Sequence, residues 1–250
     1  MTKSAIVIPA RLASTRLPRK LLLKETGKTV LQHTYESAAG SALADRVIVA
    51  ADDLEIVNAV KQFGGEAILT DPNHVCGTDR VAEVAAGLPE FEVIVNVQGD
   101  EPEIAATAID QAIELLDRNP EIPMATLATP IRSRKMLEDP NCVKIVFDNR
   151  MHAIYFSRSV IPHPRDWSEG YLTSEPPLFF QHVGLYCYRR GFLQNIPKLS
   201  PTSIEKAESL EQLRILSNGH KILVGKIDHP IAGIDTLEDY QSFVRRQSNC

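Results

Sequence analysis

The sequence predicts an α/β fold: a mostly parallel central sheet covered by helices, with an inserted antiparallel lobe. Three observations carry this. The first half alternates short apolar runs with amphipathic segments, the pattern of buried parallel strands joined by crossover helices. The second half drops that rhythm for closely linked apolar runs, which suits antiparallel pairing. The chain has 250 residues, 44% hydrophobic and 24% charged, enough to build such a fold as one domain.

The elements follow in order. Ala5 to Pro9 is apolar throughout and reads as a buried strand, followed by a helix from Thr29 to Ala39. Arg46 to Ala51 (RVIVAA) is a strand, and Asp53 to Phe63 a helix that Gly64 and Gly65 stop. Ala67 to Thr70 is a strand, Asp79 to Ala86 a helix, Val93 to Val97 (VIVNV) a strand and Ala105 to Leu116 a helix. Met124 to Ile131, Val143 to Phe147, His152 to Phe156 and Val183 to Tyr188 read as the strands of the second half. A helix from Ile204 to Leu216 is announced by Thr202 and Glu205, a capping-box pair. A strand from Lys221 to Lys226 and a helix from Leu237 to Arg246 complete the chain. The loop from Pro162 to Pro177 is proline-rich and holds the only tryptophan, Trp167; loops of that length serve as lids or partner contacts. The expected division is a core of about 1–130 and 218–250, with a lobe of about 131–217 inserted in it.

Charge separates function classes. The net charge of −5 argues against a nucleic-acid partner, which needs a broad basic surface. Yet Arg11, Arg16, Arg19 and Lys20 crowd the loop that leaves the first strand, in AIVIPARLASTRLPRKLL. The carboxyl edge of an open α/β sheet is where ligands bind, so this local cluster points to a small polyphosphate such as a nucleotide. A solvated basic turn is the plainer alternative. No G-x-G-x-x-G follows the first strand and no Walker lysine motif is present, which disfavours hydride transfer and P-loop hydrolysis.

Other segments carry chemistry. NVQGDEP presents Gln98, Gly99, Asp100 and Glu101 at a strand end, and Asp100 is a hard oxygen ligand suited to Mg2+ on phosphates, or else the cap of a turn. In GIDTLEDY, Asp235 is a second such carboxylate, or the N-cap of the last helix. HVCGTDR places Cys76, Gly77, Thr78 and Arg80 where a helix opens, offering backbone N–H groups to a base or phosphate, or simply starting a helix. Arg158 follows a strand in YFSRS. His182 and Tyr186 lie four apart, on one face of their strand. Glu211 sits near the inward stripe of its helix beside Gln212, where a carboxylate needs partners. A core histidine and an Arg158–Glu211 salt bridge are the structural alternative for this group.

The cysteines, Cys76, Cys142, Cys187 and Cys250, show no C-x-x-C spacing, and reduced thiols are expected. The first residues hold too short an apolar run for a signal peptide and no run approaches a membrane span, so no membrane partner and a cytoplasmic location are expected.

Taken in order, IPARLASTRLPRKLL, HVCGTDR, VIVNVQGDEP, ATLATPI, YFSRSVIP, HVGLYCYRRGFL, ESLEQLRIL and GIDTLEDY resemble the 3-deoxy-D-manno-octulosonate (KDO) cytidylyltransferases, the CMP-KDO synthetases of lipopolysaccharide synthesis. The resemblance implies a Rossmann-like nucleotidyltransferase fold whose lobe forms a homodimer. It implies CTP and KDO as substrates, Mg2+ as cofactor, and CMP-KDO and pyrophosphate as products. By resemblance Arg11, Arg16 and Lys20 bind the triphosphate, with Arg11, Lys20 and Asp100 catalytic and Asp100 and Asp235 the metal ligands. Cys76, Gly77, Thr78 and Arg80 match the turn that meets the cytosine, and Gln98 the junction of nucleotide and sugar. Arg158, His182, Tyr186, Glu211 and Gln212 match the sugar site. The chain departs from the family pattern at Arg19, where glycine is usual before the lysine, and at Cys76, where serine is usual. A cytidylyltransferase for sialic acid or an amino analogue of KDO, and a silent nucleotide-binding module, are the competing readings.

Overall fold

Each apolar run in the first half becomes a strand, and each amphipathic segment packs one face onto the sheet those strands form. The computed structural model describes residues 2–14, 16–228 and 232–248. Strand β1 (Ser4–Ala10), helix α1 (Val30–Ala39), β2 (Arg46–Ala51), α2 (Leu54–Gln62), β3 (Ala67–Leu69), α3 (Gly77–Ala86), β4 (Val93–Asn96) and α4 (Ala106–Asp117) alternate through the first half. Then come β5 (Met124–Pro130), the short α5 (Arg134–Glu138), β6 (Lys144–Phe147), β7 (Ala153–Ser157), β8 (Phe180–Arg189) and α6 (Arg190–Leu193). Helices α7 (Ser203–Glu208) and α8 (Gln212–Ser217), strand β9 (Ile222–Lys226) and helix α9 (Leu237–Ser248) close the chain.

All nine strands among the described residues join one sheet, with the main path β3-β2-β1-β4-β8-β5-β9 and the β6–β7 hairpin attached through β8. The pairs β1–β2, β1–β4, β2–β3 and β5–β9 are parallel. Strand β8 runs antiparallel to both neighbours, β4 and β5. The antiparallel part is therefore not wholly outside the sheet. Its longest strand lies between two strands of the expected core, and only β6 and β7 extend away from it.

Alternate residues of β1 feed two cores. Ile6 and Ile8 pack with Val49, Val95, Leu31, Ile56, Ile109 and Phe243 on one face. Ala5 and Val7 pack with Ile48, Ile94, Val81, Val84, Leu213 and Ile215 on the other. A strand buried on both faces reads as an unbroken apolar run, as β1 does. The long loop from 158 to 179 closes over a third, small cluster of Ile131, Leu137, Cys142, Leu172 and Phe179, with Trp167 stacked on Phe179 at 6.1 Å.

One helix expected from sequence is two. The segment from 203 to 217 breaks at Ser209, which takes the left-handed conformation (φ 52°, ψ 49°) and caps α7. The apolar spacing runs on through the break, so periodicity alone did not show it. The capping box is present: Thr202 Oγ1 accepts from Glu205 N at 3.3 Å, and the Glu205 carboxylate accepts from Thr202 N at 3.0 Å. Glu205 also takes a two-pronged ion pair from Arg214 of α8, which ties the two short helices together.

The Thr202→Ala variant is expected to lose about 1 kcal/mol of stability, the worth of one N-cap bond. Urea unfolding should show a lower midpoint at an unchanged slope.

Candidate active site

Three chain segments far apart in sequence meet at the carboxyl edge of the sheet. The loop after β1 is tied to the end of β2: Leu12 N donates to Asp52 Oδ1 at 2.9 Å, and Asp52 N to Ala10 O at 3.2 Å. A single helical turn, Lys20–Leu22, then buries Leu21 and turns Lys20 into the cleft. At the end of β4, Gly99 permits the close approach: a Cβ there would lie 3.0 Å from Pro9 O and 3.4 Å from Leu21. The third segment is held by Ile234 N, which donates to Asp100 O at 2.8 Å.

The result is one ammonium shared by two carboxylates. Lys20 Nζ contacts Asp100 Oδ2, lies 3.2 Å from Asp235 Oδ1, and donates to Ile234 O at 2.9 Å. Arg16 reaches Asp235 from the other side at 2.9 Å. The sequence left Asp235 open as a helix cap, but Thr236 does that work. Its hydroxyl accepts from Asp239 N at 3.2 Å, and the Asp239 carboxylate accepts from Thr236 N at 2.9 Å. Asp235 is thereby free to face the cations. Among the described residues no group of three or more His, Cys, Asp or Glu converges as a metal cage. Two carboxylates converging on one cation, beside a basic loop, are still a donor set of the kind Mg2+ uses when phosphates complete its shell.

The cleft has two connected parts. One, of about 450 Å3, is lined by Arg11, Arg16, Lys20, Gly99, Asp100 and Asp235. The other, of about 420 Å3, is lined by Arg158, Gly184, Tyr186, Tyr188 and Gln212 among others. Cys76, Gly77, Gln98 and Glu211 line both and so mark where the parts join. Arg11 also spans the cleft mouth, donating to His74 O at 3.3 Å.

The wall at Tyr186 is a bulge. Thr126 pairs with Tyr186 but Leu127 pairs with Val183, so Gly184 and Leu185 are extra. Thr126 Oγ1 fills the gap, 2.8 Å from Leu185 O and 3.1 Å from Val183 O. Arg158 is aimed by backbone oxygens: Nε donates to Glu208 O at 2.7 Å and Nη1 to Pro140 O at 3.0 Å. The Glu208 carboxylate fixes the same corner, accepting from Ser157 Oγ at 2.6 Å and Arg158 N at 2.9 Å. The Arg158–Glu211 salt bridge weighed from sequence does not form. Glu211 instead accepts from Thr78 Oγ1 at 2.7 Å.

Two sequence candidates do not face the cleft. Arg80 is fully buried, where it donates to Thr70 Oγ1 and, at 3.2 Å, to Asp71 O, bracing the turn after β3. Burial lowers its pKa. His182 lies behind Tyr186, with ring centroids 5.3 Å apart, and edge-on to Phe156. Its Nε2 is 3.0 Å from Thr126 Oγ1, and because that hydroxyl donates to carbonyls, the ring is the Nε2–H tautomer. Burial pulls its pKa down to about 3. Cys76 does face the cleft, but burial, and then the Glu211 charge, push its thiol up to about 12, so it is no nucleophile. Cys76, Cys142 and Cys187 are free thiols, and Cys250 lies outside the described residues.

Glu208, which aims Arg158, was missed from sequence, and Glu101 was placed at the strand end without a role. Glu101 is buried against Gly184, and burial together with the Asp100 charge raises its carboxyl to about 8. Lys144, also fully buried, gives its ammonium to Asp139 O at 2.9 Å and Cys142 O at 2.6 Å, ordering the turn that carries Pro140. A lysine between Val143 and Ile145 in an apolar run was the available signal.

Comparison with known proteins agrees with this geometry. A family profile described as Cytidylyltransferase matches residues 5–222. The chain is 49% identical over 245 residues to a 3-deoxy-manno-octulosonate cytidylyltransferase of Rhodopirellula baltica, covering 98% of both chains. It is 47% identical over 248 residues to the Geotalea daltonii protein of the same name, again at 98% of both. A solved CMP:2-keto-3-deoxy-manno-octonic acid synthetase complexed with CTP superposes with a TM-score of 0.92 at 39% identity, over 99% of both chains. Among the described residues no helix is long and apolar enough to cross a membrane.

Arg19 holds a left-handed backbone (φ 56°) while its guanidinium pairs with exposed Glu55. Arg19→Gly is expected to be about 1 kcal/mol more stable than Arg19→Ala, since both lose the ion pair and only glycine takes that conformation freely; thermal melts check this. For His182, the folded pKa lies below the usual value of 6.5. Its neutral burial therefore stabilises the fold above pH 6.5, and that stability is lost as pH falls toward 3. His182→Gln should flatten the loss of unfolding free energy over that window, by at most about 1.4 kcal/mol per pH unit.

Proposed function

The chain belongs to the 3-deoxy-manno-octulosonate cytidylyltransferase family, and from that premise we propose that it joins CTP and KDO to give CMP-KDO and pyrophosphate, a step of lipopolysaccharide synthesis. One observation carries the assignment of roles. The Lys20–Asp100–Asp235 cluster and the Arg158–Tyr186–Glu211 wall open into one cleft, joined at Gln98 and Cys76.

The anomeric hydroxyl of the sugar attacks the α-phosphorus of CTP in line. The new bond is sugar oxygen to phosphorus, the hydroxyl proton is given up to solvent, the bond from α-phosphorus to the bridging oxygen breaks, and pyrophosphate leaves with the developing charge. No protein nucleophile is needed, which accords with the protonated, inert Cys76. Arg11, Arg16 and Lys20 line the part of the cleft that takes the triphosphate, and their charges stabilise the leaving oxygens. Backbone groups at Cys76 and Gly77 meet the base, and Gln98 stands between base side and sugar side. Asp100 and Asp235 would hold Mg2+, which supplies a hard cation for phosphate oxygens and lowers the pKa of the attacking hydroxyl when bound.

On the sugar side, Arg158 is the anchor. Its guanidinium is held by carbonyl oxygens, and among the described residues it forms no ion pair, so its charge is available to the KDO carboxylate. Tyr186, Glu211 and Gln212 line the same space and take the sugar hydroxyls. His182 contributes from behind, by backing Tyr186. We further propose a homodimer formed through the lobe, with exposed Ile154 on β7 and Trp167 in the long loop as apolar contacts, and a cytoplasmic location, where the nucleotide pool lies.

The test is pyrophosphate release from CTP, with KDO, an amino analogue of KDO and sialic acid in parallel. KDO should be turned over with the highest kcat/KM, and release with sialic acid alone would overturn the reading. Asp100→Asn should lower kcat by on the order of 10²- to 10³-fold with an unchanged circular-dichroism spectrum.

A further inference from the structure

Thr78 enters the site from the nucleotide side, as the second residue of α3, yet it does not spend its hydroxyl there. The side chain is only 8% exposed, and Oγ1 donates to Glu211 Oε2 at 2.7 Å across 133 residues of sequence. Glu211 precedes α8, in the segment that follows the break at Ser209, and it lines both parts of the cleft. Cys76, at the N-cap of α3, makes no side-chain cap bond, and it lines the same junction of the cleft as Glu211.

We propose that Thr78 is a positioning residue for the sugar, holding one oxygen of Glu211 so that the other is presented to a hydroxyl of the acceptor. This rests on the function proposed above and deepens it. The bond joins the turn that meets the nucleotide to the carboxylate that meets the sugar. Setting that turn on CTP therefore sets the acceptor site as well. A free Glu211 side chain would have several rotamers to lose on binding, and the Thr78 bond removes that cost beforehand. It also keeps one lone-pair face of the carboxylate occupied, so an acceptor hydroxyl must approach from the side of Oε1. That is a constraint on sugar stereochemistry rather than on the nucleotide.

The test uses Thr78→Val, which keeps shape and removes the hydroxyl, and Thr78→Ser, which restores it. With Thr78→Val the KM for KDO should rise roughly tenfold, the worth of one hydrogen bond to a charged group, while the dissociation constant for CTP measured calorimetrically without sugar stays within twofold. Thr78→Ser should return the sugar KM toward wild type. A rise in the CTP dissociation constant with the sugar KM unmoved would overturn the proposal and make Thr78 a nucleotide contact. No change in either constant would overturn it too. A readout free of turnover comes from unfolding of Thr78→Val, Glu211→Ala and the double variant, each of which removes at least one partner of the bond. Non-additive losses are expected of a formed bond, and strict additivity would remove it. Failure of the wild-type chain to turn over KDO would sink the functional reading alone, since the unfolding cycle does not depend on it.

Discussion

The ammonium of Lys20 between Asp100 and Asp235 is the constraint on which the cleft depends. It draws together the loop after β1, the end of β4 and the turn before α9, residues 80 and 215 apart in sequence. Like charges at Asp100 and Asp235 would repel without a cation between them. On the function proposed above, a triphosphate and its counter-ion would share this spot. The fold holds an internal positive charge there, and Gly99 lets the backbone come close enough to do so.

Much of this was legible in the chain. Strand β2 lies where RVIVAA predicted it, and α2 starts within one residue of its expected start, with Asp53 as its cap rather than its first residue. Local rules decide such elements, because one residue type at one spacing fixes the outcome. The break at Ser209 was not legible, because its cause is tertiary. Glu208 and Ser209 turn their carbonyls to Arg158, and a continuous helix would have used those carbonyls internally. The placement of β8 between β4 and β5 was hidden for a similar reason. Its pattern of buried and half-buried residues resembles an edge extension, while its partners are set by topology.

The site residues divide in the same way. Lys20, Asp100 and Asp235 were readable because each follows a strand or precedes a helix at the sheet edge, where chemistry collects. Arg80 and His182 are buried behind the cleft, since a residue within a chemistry-bearing motif can serve from behind it. Arg80 braces the turn after β3, and His182 backs Tyr186 while bonded to Thr126. No spacing rule tells which face of a motif is buried. Glu208 was passed over because the groups that donate to it, Ser157 Oγ and Arg158 N, lie 51 and 50 residues away in the chain, and Lys144 because its ammonium is held by the backbone oxygens of Asp139 and Cys142.

The bulge at Gly184 has an evolutionary meaning. Because the bulge is anchored at Tyr186, which pairs with β4 on one side and β5 on the other, it cannot be exchanged like a surface loop. A lineage that recruited this scaffold for a different acid sugar would have to change side chains around a fixed backbone, or rebuild the middle of its own sheet.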